Sequence, residues 1–151
     1  MSFEPHRGKR LEALQARVHR SRAVTSALLT EIIAQACTRF PVHRRATKAA
    51  FDQLVACGAW TDAVLLLLQL ELPHWKLRRI IYEDGEWHCF LSKQSQLPLG
   101  LDDGEEATHE VLPLAILIVF IKARSAVAGE TTSVPRVSVP GNCAVCCDNF
   151  T

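Results

Sequence analysis

Positions at alternating spacings of three and four run through the first third of the chain: Leu11, Leu14, Val18, Ser21, Thr25, Leu28 and Ile32. That period is helical and has the form of a heptad seam. The seam weakens at Ser21 and Thr25, then broadens to Val24, Leu28, Leu29, Ile32, Ile33 and Ala36 ahead of Pro41. The pattern predicts one helix from about Gly8 to Phe40, whose narrow first half projects or pairs and whose broad second half enters the core. A second helix is expected from Arg44 to Cys57, burying Ala50, Phe51, Leu54 and Val55 and stopping at Gly58. Thr61 suits the N-cap of a third, in which Val64 to Leu68 are apolar on all sides, and Pro73 closes it. Such a run calls for a central place in the core.

Beyond Pro73 the period changes. Trp75 to Tyr82 and Trp87 to Ser92 flank Glu83-Asp84-Gly85-Glu86, and Asp-Gly is what a two-residue type I′ turn prefers. With Asp84 and Gly85 as the loop, one side pairs Tyr82 with Trp87, Ile80 with Cys89 and Arg78 with Leu91. The other pairs Ile81 with His88, Arg79 with Phe90 and Leu77 with Ser92. Both sides are partly apolar, and a lone two-stranded hairpin is marginal in water. The hairpin therefore needs a cover, from the helices of this chain or from another subunit.

Asp103-Gly104-Glu105-Glu106 reads as a helix start, with acids at the positive end of the dipole. That helix would run to about Ala126, with Pro113 kinking it unless it begins later, near Thr108. From Gly129 onward Thr, Ser, Val and Pro dominate without periodicity, which reads as disorder. The expected fold is α+β and mostly helical, with about four helices, one β-hairpin and a disordered C-terminal tail. Its organisation would be a basic helical extension (1–22), one globular domain (23–127) and the tail (128–151).

The length of 151 residues suits one domain, and 48% apolar content excludes a wholly disordered or collagen-like chain. The net charge of +1 conceals a division. Residues 1–48 hold ten Lys/Arg against three acids, whereas residues 83–110 hold eight acids against Lys93 alone. Such a split suggests an acidic partner for the basic end, or pairing of the two segments. No apolar run reaches the roughly 18–20 residues of a membrane span. The longest, Val111 to Ile121, has the size of a buried core helix. The Arg-rich start, broken by Glu4 and Glu12, lacks an export signal, so reduced thiols and a cytoplasmic location are expected. Cys37 and Cys57 sit among apolar helical residues and read as small buried hydrophobes.

Chemical motifs are sparse. Cys143, Cys146 and Cys147 form half of a zinc site, because two thiolates at Cys-x-x-Cys spacing can reach one tetrahedral ion. No second close pair completes it, so these cysteines read as exposed thiols rather than metal ligands. His109-Glu110 begins like the zinc-protease helix, but the second histidine is absent and Pro113 follows. His74, Glu86, His88, Cys89, His109 and Glu110 form a polar set that needs convergence to act as a site. No phosphate loop, dinucleotide fingerprint or nucleophile elbow appears, so neither a catalytic residue nor a cofactor is assigned. The balance leans against an enzyme.

The stretches Trp60-Thr61-Asp62-Ala63, Glu71-Leu72-Pro73-His74-Trp75-Lys76-Leu77-Arg78-Arg79 and Asp84-Gly85-Glu86-Trp87-His88-Cys89 resemble a family of small proteins from rhizobial alphaproteobacteria. The resemblance covers residues 60–124. It implies a bacterial, cytoplasmic origin and attaches no activity to these positions.

Together these features point to a non-catalytic interaction or regulatory protein that self-associates. Leu11, Leu14 and Val18 would pair with another chain, and the basic and acidic segments would set the register. A second reading is a nucleic-acid-associated regulator using Arg10, Arg17, Arg20 and Arg22, although interleaved aromatics are lacking. A third is a small metal protein or enzyme around His88, Cys89 and His109.

Overall fold

A computed structural model describes residues 4–93 and 104–130 of the chain. The element order is α1 (Glu4–Arg20), α2 (Ser26–Ala36), a 3-10 turn (Phe40–Val42), α3 (Arg45–Ala56), α4 (Trp60–Glu71), β1 (Lys76–Glu83), β2 (Glu86–Ser92), β3 (Gly104–His109) and α5 (Leu112–Glu130). The α+β, mostly helical class stands. Among the described residues, however, there are five α-helices and three strands rather than four helices and a hairpin.

The expected helix from Gly8 to Phe40 is two helices. Its interruption falls on the two polar positions of the seam. Ser21 turns its hydroxyl back onto the Arg17 carbonyl at 2.9 Å, and Thr25 caps α2 by accepting the Leu28 N–H at 3.1 Å. A residue that caps a new helix ends the old one. The third predicted helix begins at Trp60, so Thr61 lies inside it and Ala59 holds the cap position without a side-chain bond. The second runs Arg45–Ala56 and stops at Gly58 as expected, with Phe51 buried, Leu54 and Val55 half-buried and Ala50 exposed.

The hairpin forms at the expected turn: Asp84 and Gly85 have φ of 54° and 82°, the pair of positive values that a type I′ turn demands. Tyr82 faces Trp87, Ile80 faces Cys89, Ile81 faces His88 and Arg79 faces Phe90. Beyond Arg79 the register shifts, so that Leu77, not Arg78, faces Leu91, and Lys76 faces Ser92. Arg78 is therefore the extra residue of a bulge, which bends the strand and increases its twist.

The sharpest departure lies at Gly104. The acids after it open strand β3, antiparallel to β2, with Ala107 facing Cys89 and Trp87 facing His109. Gly104 admits the close approach: a Cβ there would sit 2.4 Å from the Leu91 carbonyl oxygen. The last helix consequently starts at Leu112, which places Pro113 in its first turn, where a missing N–H costs nothing.

α5 occupies the centre. Every residue from Leu114 to Ile121 is at most 3% exposed. One side of α5 carries β2 and β3, and α1 and α4 pack on it elsewhere. The central place expected for Val64 to Leu68 thus belongs to α5. In α4, Val64, Leu67 and Leu68 are buried, but Leu65 and Leu66 are half-exposed. α1 is no projecting extension, because its stripe joins the same core as the rest. Helix α5 reaches Glu130, past the expected start of the tail, and residues 131–151 lie outside the described residues.

Candidate functional site

The sheet orders β1-β2-β3. Because side chains alternate across a strand, Leu77, Ile80 and Tyr82 share one face with Leu91, Cys89 and Trp87. On β2 and β3 that face is sealed by α5: Cys89 and Leu91 are 0% exposed and Ala107 is 4%. On β1 the seal stops, leaving Ile80 at 42% and Tyr82 at 59% exposure. The Tyr82 ring leans on Trp87, with centroids 5.0 Å apart. At the other end of β1, Leu65, Leu68, Pro73, Trp75 and Leu77 line an open cavity of about 470 Å³. Apolar side chains thus recur on this face of β1 from the cavity, whose lining also includes Gln69 and Lys76, to the hairpin tip. Among the described residues β1 pairs with β2 alone, so its outer edge is open.

The opposite face of the sheet carries Arg79, Ile81 and Glu83 on β1, then His88 and Phe90 on β2. Glu83 stands directly against Glu86 across the turn. Like charges in that position repel. Both carboxylates are exposed, and so is Arg79.

The expected pairing seam has a different fate. Leu11, Leu14 and Val18 are 1%, 2% and 0% exposed, covered within this chain as α1 packs along α5. The seam period identified a buried face correctly, but the partner helix is intramolecular. Arg10, Arg17, Arg20 and Arg22 are exposed. Arg17 pairs with Glu31 of α2, and Arg20 Nε donates to the Ala16 carbonyl at 3.4 Å.

The polar set around His88 does not converge. His88 and Cys89 are adjacent on β2 and so project to opposite faces of the sheet. Burial pushes the Cys89 thiol up to about 11 and, with Glu71 beside it, the Cys37 thiol up to about 12. Both stay protonated and poorly nucleophilic at neutral pH. Cys57, expected to be buried, is exposed because it caps the end of α3. His109 is 8% exposed and fully used. Its Nδ1 accepts the Val111 N–H at 2.9 Å, so Nε2 carries the proton and faces the carbonyls of Ser21 at 3.0 Å and His19 at 3.2 Å. That side chain ties the end of β3 to the end of α1. Among the described residues no group of three or more His, Cys, Asp or Glu could hold a metal ion. Cys143, Cys146 and Cys147 lie outside the described residues.

A cavity of about 660 Å³ lies between α1, β3 and α5. Glu12, Gln15, His19 and Arg20 face Thr108 and Lys122 across it. Lys122 already donates to the Glu106 carbonyl at 2.7 Å. The lining holds no Ser or Cys nucleophile beside a base.

Sequence reasoning missed the pair Glu71 and Arg124. Glu71 is 1% exposed, and its carboxylate accepts the N–H groups of Thr38 (2.6 Å), Arg39 (2.9 Å) and Phe40 (3.0 Å) and the Thr38 hydroxyl (3.1 Å). The Arg124 guanidinium lies 3.8 Å away and also donates to the Ala36 carbonyl at 2.8 Å. This arrangement caps the 3-10 turn and locks α2 to α4 and α5. Nothing in the local pattern marks Glu71, because all its partners are distant in sequence.

No helix among the described residues is long and apolar enough to cross a membrane. No family model, no curated protein and no solved structure matches this chain, so nothing in these comparisons bears on the rhizobial resemblance.

Proposed function

We propose that this chain is a non-catalytic protein that self-associates, and that its contact surface is the uncovered side of β1. The observation that carries the reading is the exposure of Ile80 and Tyr82 on a sheet face whose Cys89, Leu91 and Ala107 are buried under α5. Edge strands with apolar faces are templates for pairing, and proteins that remain monomeric blunt them with charges, prolines or a covering element. Here Lys76, Arg78 and Arg79 supply charge at one end, whereas Ile80, Ile81 and Tyr82 stand together toward the tip. The reading keeps the interaction function and moves its site from Leu11, Leu14 and Val18 to β1. Buried free thiols at Cys37 and Cys89 fit a reducing compartment, so a cytoplasmic location belongs to the same proposal, as does the bacterial origin implied by residues 60–124.

Size exclusion with light scattering on the full chain, across a dilution series, tests this reading. The expected result is a mass rising toward twice that of the chain. The Ile80→Ser, Tyr82→Ser double variant should return it to one chain with an unchanged circular dichroism spectrum. A single-chain mass at every concentration, or a folded double variant that dimerises like the parent, would refute it.

A further inference from the structure

We infer that the second copy joins β1 to β1, antiparallel, about a two-fold axis through Ile81, turning two three-stranded sheets into one continuous sheet. This rests on the self-association reading above and names its partner, strand and register.

The edge itself sets the first constraint. In a hairpin with a two-residue loop, the flanking pair Glu83 and Glu86 exchanges hydrogen bonds, and bonded and non-bonded pairs then alternate. Arg79, Ile81 and Glu83 therefore turn their backbone groups toward β2. The N–H and C=O groups of Ile80 and Tyr82 point outward, to the open edge. A partner strand must meet Ile80 and Tyr82 with outward-pointing groups of its own, and a second β1 offers them.

Face continuity sets the second constraint. Opposed residues lie on the same side of a sheet, so Ile80 must meet a residue of the apolar face and Arg79 one of the other face. Placing Ile80 against the partner's Tyr82 satisfies both, and it fixes the remaining pairs: Ile81 against the partner's Ile81, and Arg79 against the partner's Glu83. Shifting the register to oppose Ile80 with the partner's Ile80 would set Arg79 against the partner's Ile81, losing the charge match. The bulge at Arg78 marks where regular pairing ends, so the contact spans Arg79 to Glu83.

Charge supplies the third argument. Within one chain the cross-strand neighbour of Glu83 is another carboxylate, Glu86, across the turn. The partner's Arg79 would sit on the free side of Glu83 and offset that repulsion, twice per dimer by symmetry. On the apolar face, Ile80 and Tyr82 of both copies would form one cluster between the two α5 layers, burying the side chains that a single chain leaves in water.

Two sets of full-chain variants test the register. Arg79→Glu and Glu83→Arg, each alone, should weaken the dimer by about tenfold, since each turns two attractive pairs into repulsive ones. The double variant should recover the parent affinity, because the pairs are restored with reversed sign. Separately, in a chain with Cys57, Cys143, Cys146 and Cys147 replaced by serine, Ile81→Cys should form a covalent dimer on mild oxidation. Opposed residues of a non-bonded pair lie about 4.5 Å apart at Cα, within disulfide reach. Glu106→Cys, on the far strand, is the control. A dimer indifferent to the charge swaps, or Ile81→Cys cross-linking no faster than Glu106→Cys, would overturn the register and leave self-association standing. A parent chain that stays single at every concentration would overturn both. Co-purification of a different protein strand in place of a second copy would also overturn the pairing.

Discussion

Leu14→Asp is expected to unfold the chain rather than dissociate it. Leu14 is 2% exposed in the layer between α1 and α5, so the substitution forces a carboxylate into a packed apolar site. Burial of an unpaired ion costs several kcal/mol after relaxation, and the lost leucine burial adds about 2 kcal/mol. Against a total stability of about 5–15 kcal/mol for a domain, that is enough to abolish or sharply depress the cooperative transition. Thermal denaturation followed by circular dichroism makes the check, with the exposed Ala13→Glu as a control that should melt close to the parent. A folded Leu14→Asp variant with parental melting and a halved mass would mean that the seam joins chains after all.

Removal of the Glu71 carboxylate should have an effect of comparable size. In Glu71→Ala three backbone N–H groups and the Arg124 guanidinium lose their common partner, a carboxylate that is itself 1% exposed. Breaking a buried pair from one side typically costs about 3–5 kcal/mol, which for a chain of this length lowers Tm by roughly 10–15 °C. Burial pushes the Glu71 carboxyl up, but the N–H groups of Thr38, Phe40 and Arg39, with Arg124, outweigh it and hold the group below its ordinary value of 4.5. The sign follows from linkage. A carboxylate depressed on folding contributes stability that is complete above its unfolded value and is lost as pH falls through the folded one. The difference in stability between parent and Glu71→Ala should thus be constant through neutral pH and shrink below about pH 4. Equilibrium urea unfolding across pH measures it. A gap that widens with acid would contradict this role for Glu71. Arg124→Met alone should also destabilise, and Glu71→Leu with Arg124→Met should recover part of the loss, since an apolar pair leaves no buried charge.

Features fixed by neighbouring residues were legible in the sequence, and features fixed by distant ones were not. Asp84-Gly85 specifies its turn within four residues, and the hairpin register follows from it as far as Arg79. The bulge at Arg78, which no local pattern encodes, breaks that register. Ser21 and Thr25 already stood out as polar interruptions of the seam. Their meaning as a helix break rests on the hydroxyl of Thr25 capping α2. Strand β3 was misread because Glu105 and Glu106 beside a glycine have the signature of a helix start. Its strand state depends on pairing with β2, and it buries only Ala107 and His109 strongly. The seam teaches a related point: periodicity says which face of a helix is buried, not whose side chains bury it. The uncovered hairpin was half-legible. Its two apolar sides demanded a cover, and only the position of α5 over β2 and β3 reveals which strand was left without one.

Hydrogen exchange resolved residue by residue, at low and high protein concentration, tests the central claim most directly. If two copies join at β1, the amides of Ile80 and Tyr82 should exchange freely in dilute solution and gain protection as concentration rises. The inward-facing amides of Ile81 and Glu83 should be protected at both. That alternation, period two and dependent on concentration, is the signature of an edge strand closed by a second copy. Ile80 and Tyr82 amides that exchange equally fast at both concentrations would contradict it.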